Sequence, residues 1–319
     1  MVTLDDIRMA ARRLEHVAIH TPLIRCPHST REAQLWFKPE SLQPIGAFKL
    51  RGAYNYIASL SEERRRQGVI TYSSGNHAQG VAYAAKALGI RAIIVMPDNA
   101  PKIKVAATAS HGAEIVFVRP ASSARQARAE ELAREHGYVI VPPYNDETII
   151  AGQGTVGLEI IQDMPEVDCV LVPTGGGGLI SGTAAALKLT NPRVKVIGVE
   201  PELAADAHAS FRSGHIAEFS AEQVSRTLAD GLRTQHVGEI NFRHIQCYVD
   251  DMVTVSEAEI RKAVRELALN AKLVAEPSGA VSFAAFRCHR QQLPSAQRTV
   301  AVISGGNIEP ELLAEILQG

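Results

Sequence analysis

One pattern recurs along the chain: a short β-branched apolar run, a loop of small or polar residues, then a helix-like segment. The runs are "VITY" before "SSGNH", "AIIVMP" before "DNAP", "IVFV" before "RPASS", "YVIV" before "PPYND", "CVLVP" before "TGGGG", "VIGV" before "EPELA" and "VAVI" before "SGGN". Strands alternating with helices in this way predict crossover units and parallel sheets, hence an α/β fold. The runs are continuous rather than alternating, so the strands are expected to be covered on both faces. The block from about 68 to 145 holds several compact strand–helix units and is expected to form its own lobe, with the rest as a second. The opening "MVTLDDIRMAARRLE" reads as an amphipathic helix without the apolar core of a signal peptide. Between "VEPELAAD" and "MVTVSEAEI" the pattern loosens into a long irregular connection, a length that argues for a functional or structural role.

Composition narrows the classes. The chain has 319 residues, 46% hydrophobic and 21% charged, an ordinary globular composition for one large or two medium domains. Lys plus Arg number 33 against 34 Asp plus Glu, a balance with no long-range pull toward nucleic acid or anionic membrane. The densest basic run, Arg64 to Arg66 in "EERRRQG", reads as a solvated helix end. No stretch approaches the roughly eighteen apolar residues of a membrane span. Cys26, Cys169, Cys247 and Cys288 are scattered without a CxxC pair, which suggests neither a disulfide framework nor a thiolate zinc site; a reduced cytoplasm fits.

In parallel sheets ligands bind beyond the carboxyl ends of the strands, so the loops after the runs are the candidates for a site. "PTGGGGLISG", residues 173–182, follows a strand and opens a helix. Its four glycines let backbone N–H groups converge on an anion at a helix N-terminus. No lysine follows as in a Walker loop, and the glycine spacing fails a dinucleotide fingerprint, leaving a terminal phosphate monoester as the favoured ligand. "SSGNHAQG", residues 73–80, is either a helix cap made by Ser73 or Ser74 or, with Asn76 and His77 close behind, an anion-binding turn. "SGGN", residues 304–307, is a third tight strand end. In "PIGAFKLRGA" a single lysine, Lys49, sits among apolar residues and glycines. It is either a long side chain snorkelling outward or an amine freed by desolvation to form a Schiff base with pyridoxal phosphate.

"KPESLQPIGAFKLRGA", "SSGNHAQG", "PPYNDETIIAGQGT", "PTGGGGLISG" and "VISGGN" together resemble, in order and over nearly the whole chain, the serine/threonine dehydratase (ammonia-lyase) and serine racemase family, of the tryptophan-synthase-β-like pyridoxal phosphate fold. The resemblance implies two lobes, each a mainly parallel twisted sheet flanked by helices, with the cofactor in the cleft between them. It implies a large domain over 1–60 and 147–319 and a small mobile one over 61–146. Lys49 would carry the cofactor and move the Cα proton, with Phe48 beside it, Gly175, Gly176, Gly177 and Gly178 holding the phosphate, Asn76 bonded to the ring hydroxyl and Ser304 facing the ring nitrogen. Ser73, Ser74, Asn76, His77 and Asn145 would bind substrate, and Ser74 would stand opposite the lysine as the second base of a racemase. Glu200, Asp206 and the Ala204 carbonyl match a family site for Mg²⁺, Ca²⁺ or Mn²⁺. Asp230, in "LADGLR", takes a structural or catalytic role in the same region.

The resemblance has departures. Ile45 and Ala47 stand where many relatives carry hydroxyls, which bears on substrate preference, and Ala78 replaces a common glycine. The chain ends soon after "SGGN", so no appended regulatory domain is expected. The implied activity is elimination from L-serine or L-threonine to a 2-oxo acid and ammonia, by a homodimer. Serine racemisation and 3-hydroxyaspartate dehydration are the near alternatives. A cofactor-free binding module and a nicotinamide dehydrogenase are the distant ones.

Overall fold

The computed structural model describes all residues except His28, Arg31, Ser74, Pro101, Pro120 and Ala121, together with the side chains of Ile103, Ser122 and Ser123. Ten strands form two sheets. The larger has the order β1-β2-β10-β7-β8-β9, built from Ile24–Arg25, Gln34–Pro39, Arg298–Ile303, Cys169–Pro173, Lys195–Pro201 and Asp251–Val255. The smaller has the order β5-β4-β3-β6, from Glu114–Val118, Ala92–Pro97, Val69–Tyr72 and Val139–Ile140. Every pairing is parallel except β1 with β2.

The continuous apolar runs have the cause expected of them. Leu171, Ile197, Ala301 and Ile303 pack on one face of the larger sheet, while their neighbours Val170, Val172, Val196, Val300 and Val302 pack on the other. The smaller sheet divides likewise, Val69, Ile94 and Met96 against Ile70, Ile93 and Val95. With two buried faces and a side-chain period of two, neither set of positions is left polar; the exception is β5, at the edge of the smaller sheet, where no residue is buried and Phe117 is exposed. All seven runs named in the sequence are strands. The pattern missed β1, β2 and β9, which lie at one edge or the other of the larger sheet.

The helices start where local chemistry allows. Helix α1 (Leu4–Leu14) opens on a capping box between Thr3 and Asp6. Helix α2 spans Lys49–Ser59, and α3 (Glu62–Gln67) starts at the Ser61 cap and stops at Gly68, whose φ is +84°. Helices α4 (Asn76–Ala87), α5 (Lys102–Ala109) and α6 (Ser122–His136) belong to the smaller sheet's layers. Helices α7 (Glu147–Asp163) and α8 (Gly178–Thr190) press together backbone to backbone: a Cβ on Gly182 would lie 2.2 Å from the Ile150 carbonyl oxygen. The irregular connection resolves into α9 (Asp206–Ser213), short helical turns and a stretch from Asp230 to His236 that reaches the cleft. No helix among the described residues is long and apolar enough to cross a membrane.

Both sheets point the carboxyl ends of several strands at one cleft. The chain leaving β3 supplies Ser73, Gly75, Asn76 and His77, that leaving β6 supplies Pro143 and Tyr144, that leaving β7 the glycine loop, and that leaving β10 Ser304.

Candidate active site

Lys49 opens α2, and the segment before it is clamped to the exit of β10. Ala47 bridges Gly305, the Phe48 N–H donates to the Ser304 carbonyl at 3.1 Å, and the Gly306 N–H donates to the Gly46 carbonyl at 2.9 Å. Ile45 and Ala47 are buried and pack with Leu50, so their departure from the family hydroxyls falls on this clamp rather than on the cleft lining. The Lys49 amine turns into the cleft, where Nζ donates to the Pro143 carbonyl at 2.7 Å and lies 5.3 Å from the centre of the Phe48 ring. Among the described residues no carboxylate pairs with it. Burial therefore acts uncompensated and lowers the ammonium from 10.5 to about 8, leaving an appreciable fraction as free amine at neutral pH.

Gly175 to Gly178 line the opposite side of the cleft. Gly177 adopts φ +94°, a left-handed conformation that aims the chain into α8. Side chains pack closely against these residues: a Cβ on Gly176 would lie 2.5 Å from the Tyr144 ring, and one on Gly177 2.8 Å from Asn241 Cβ. The loop is thus held in place and presents backbone to the cleft, ahead of the unpaired N–H groups of a helix start.

At the head of α4 the N-cap is Gly75, with no side-chain cap, so the capping reading does not hold for Ser73. Ser73 lines the cleft, its Oγ accepting from the Gly75 N–H at 3.3 Å. Ser74 lies outside the described residues. His77 is buried, and its Nε2 bonds the Val141 carbonyl at 3.1 Å. Burial, then the Lys49 charge, drives its pKa down to about 3, so the ring stays neutral and Nε2–H is the donor. Asn76 Nδ2 donates to Glu276 at 2.6 Å, and Asn76 Oδ1 accepts from Asn307 Nδ2 at 2.8 Å.

These groups enclose a cavity of about 400 Å³, in the range of small-molecule sites. Phe48, Lys49, Ser73, Asn76, His77, the four glycines and Ser304 all line it. Asn145 does not: its Oδ1 accepts from the Ile240 N–H at 2.9 Å, bracing the loop after β6 against the helix Glu239–Tyr248. Asp230 lines the mouth and pairs across it with Lys104 of α5, joining the two sheets' layers.

Glu200, near the end of β8, and Asp206, at the start of α9, sit outside the cavity, fully buried with Ala204. Glu200 accepts from the N–H groups of Ala207 at 3.3 Å and His208 at 2.6 Å. Asp206 Oδ1 accepts from Thr234, while Oδ2 has no partner among the described residues. Burial raises both carboxyls, and Asp206 raises Glu200 further.

Among the cleft residues the sequence reading passed over are Arg125, Pro143, Tyr144 and Glu276. Arg125 of α6 lines the cavity without an acid partner among the described residues, and its buried Nε has no acceptor. It sits in "SSARQARAEELAREH", where charge density looks like a solvated helix. The Pro143 carbonyl and the Tyr144 ring lay within a quoted motif without a role. Glu276, before Pro277, resembles a helix cap, although its side chain caps nothing.

A family model described as "Pyridoxal-phosphate dependent enzyme" matches residues 14–305. The chain is 41% identical to the L-threo-3-hydroxyaspartate ammonia-lyase of Saccharomyces cerevisiae, over 99% of this chain and 97% of the relative. It is 45% identical to the L-threonine ammonia-lyase of Thermotoga maritima, over 99% of this chain and 78% of the relative. The structure of maize serine racemase superposes with a TM-score of 0.93 at 35% identity, covering 99% of this chain and 97% of the other. The free amine, the glycine loop and this likeness over the whole length agree, and the chain belongs to the family of pyridoxal-phosphate-dependent enzymes.

Proposed function

We propose that the protein is an ammonia-lyase of L-serine or L-threonine, releasing the β-hydroxyl as water and yielding a 2-oxo acid and ammonia. The observation that carries the reading is the Lys49 amine, turned into the cleft, unpaired with any described acid and lowered to about 8 by burial. The residues present suit the cofactor. Gly175 to Gly178 would take its phosphate, with Tyr144 and Asn241 packed so closely that side chains at Gly176 and Gly177 have no room. Asn76 would bond the ring hydroxyl and Ser304 would face the ring nitrogen. Bound there, pyridoxal phosphate supplies an electron sink for the pair left at the substrate Cα.

The chain's own groups do the rest. Lys49 Nζ, neutral near pH 8, takes the Cα proton. Ser73, with the N–H groups at the head of α4, orients the substrate carboxylate. His77 works by position, since its ring neither gains nor loses a proton in the working range. Approach of the layers carrying Lys104 and Asp230 shuts water out while the hydroxyl leaves. That motion corresponds to a small domain over 61–146 moving against the remainder. Glu200, Asp206 and the Ala204 carbonyl would hold a divalent cation; two buried carboxyls repelling one another, with Asp206 Oδ2 unpartnered, suit a hard cation. We further take the enzyme to be a cytoplasmic homodimer.

The test is a panel of amino acids with 2-oxo acid detection and D-serine quantified alongside. Keto acid in excess from L-serine or L-threonine supports the reading, and D-serine in excess overturns it in favour of the racemase. Arg125 favours a second substrate, L-threo-3-hydroxyaspartate, because a desolvated guanidinium without an acid partner suits a second carboxylate. On that reading Arg125→Ala raises KM for hydroxyaspartate at least about tenfold while sparing L-serine; an equal change for both sinks it.

A further inference from the structure

The helix Pro277–Cys288 is preceded by an acid that makes no cap. Glu276 is 4% exposed, and its carboxyl leaves the helix axis to meet Asn76 Nδ2 at 2.6 Å. The exit of β10 is folded around it. The Glu276 N–H donates to the Gly305 carbonyl at 3.0 Å, and a Cβ on Gly305 would lie 2.2 Å from Glu276 Oε1. Only glycine at 305 leaves the carboxyl room.

The bonds around Asn76 form a chain with one orientation. The Ile45 carbonyl is an acceptor only, so it takes Asn307 Nδ2 at 2.8 Å. The same Asn307 nitrogen gives to Asn76 Oδ1, which turns the Asn76 nitrogen to Glu276. Asn76 then has one N–H on Glu276 and a second N–H that no described residue accepts, on a side chain lining the cleft.

We propose that Glu276 is a positioning residue, fixing the amide plane of Asn76 so that its remaining N–H is held toward the cofactor ring. This rests on the reading that Asn76 touches the ring hydroxyl. A carboxyl at this place is neutral over much of the working range. Burial, then the Asp230 charge, pushes it from 4.5 up to about 8, against the pull of Asn76 and of Lys104. Lys49 and His77 line the same cleft beside Asn76, the latter uncharged. Below pH 8 the carbonyl oxygen of the acid accepts from Asn76; above it a full negative charge faces the amide and strengthens its hold.

The experiment uses the holoenzyme and three variants, Glu276→Gln, Glu276→Ala and Asn76→Ala. The readouts are the absorption spectrum of the bound cofactor against pH and the affinity for pyridoxal phosphate after its removal. In the native protein the spectrum is expected to change in one step centred near pH 8. Glu276→Gln keeps an amide oxygen for Asn76 and abolishes the step. Glu276→Ala removes the acceptor and weakens cofactor binding about tenfold, a loss that the glutamine variant largely restores. A step that survives in Glu276→Gln, or a spectrum and affinity unmoved in Glu276→Ala, overturns the proposal. Should Asn76→Ala alone leave spectrum and affinity as they were, the failure lies in the underlying reading of Asn76.

Discussion

Two cations two residues apart at the head of α2 have opposite surroundings. Arg51 is 1% exposed and bonds Glu40 at 2.7 and 2.9 Å, Glu159 at 2.6 and 2.9 Å and Thr155 at 3.1 Å. Lys38, equally buried, completes the cluster through Glu159 and the Thr21 carbonyl, each at 2.6 Å. Burial would discharge Arg51, but Glu40 and Glu159 more than offset it and raise its pKa. Lys49, partly buried in the cleft wall, has only a carbonyl to hold, so desolvation lowers its pKa. Desolvation with counter-charges makes a rigid base for the helix; desolvation without them lowers the ammonium at its tip, as the proposed nucleophile requires. The fold needs both, because a reactive amine is useful only on an element that does not move.

Removing each cation separates the two roles. Lys49→Ala is expected to lower turnover by about 10³-fold or more while leaving urea unfolding close to native, since no ion pair is lost. Large destabilisation would mean that Lys49 is structural. Arg51→Met leaves Glu40 buried without its guanidinium and Glu159 with Lys38 alone, and should cost about 3–5 kcal/mol of stability by the same unfolding measurement. A cost under 1 kcal/mol would show that the cluster does not fix α2.

Proton linkage sharpens the contrast. Stripped of cofactor, the protein should capture pyridoxal phosphate at a rate that falls about tenfold per pH unit below pH 8 and levels off above it, because only the neutral amine attacks. Rapid mixing followed by absorbance measures this; a rate flat down to pH 6 would contradict the lowered value. Glu40 gives the smallest effect. Burial raises its pKa, but Arg51, Lys38 and Thr21 together hold it below 4.5. Its folded value lies under its unfolded one, so its share of stability is complete above pH 4.5 and fades as the pH falls through the folded value. Glu40→Gln should flatten the acid limb of the stability curve, measured from pH 6 to pH 3.

The sheets were legible in the sequence because seven strands are apolar on both faces, and no helix of comparable length mimics a four- to six-residue β-branched run between turn residues. Strand β2, "QLWFKP", escaped because its buried Lys38 belongs to the ion cluster and reads as polar, and because Pro39 suggests a break. Lys49 and the glycine loop were legible because their local sequence breaks a rule that burial normally enforces. Glu276 and Arg125 were not. Each becomes distinctive only through what lies opposite, Asn76 two hundred residues away for Glu276 and an absence of acids for Arg125. Asn145 shows the reverse, a residue inside a specific motif whose side chain braces a neighbouring helix instead of reaching the cleft.

The clamp between Phe48 and Ser304 ties an early segment of the chain to a very late one. During synthesis, at roughly 5–20 residues per second, the lysine emerges long before the strand that holds it in place. A nascent chain stalled ahead of β10 would expose its amine without the backbone that fixes it. Productive cofactor capture is therefore expected only once β10 has been made and docked, whatever the order in which the two sheets condense.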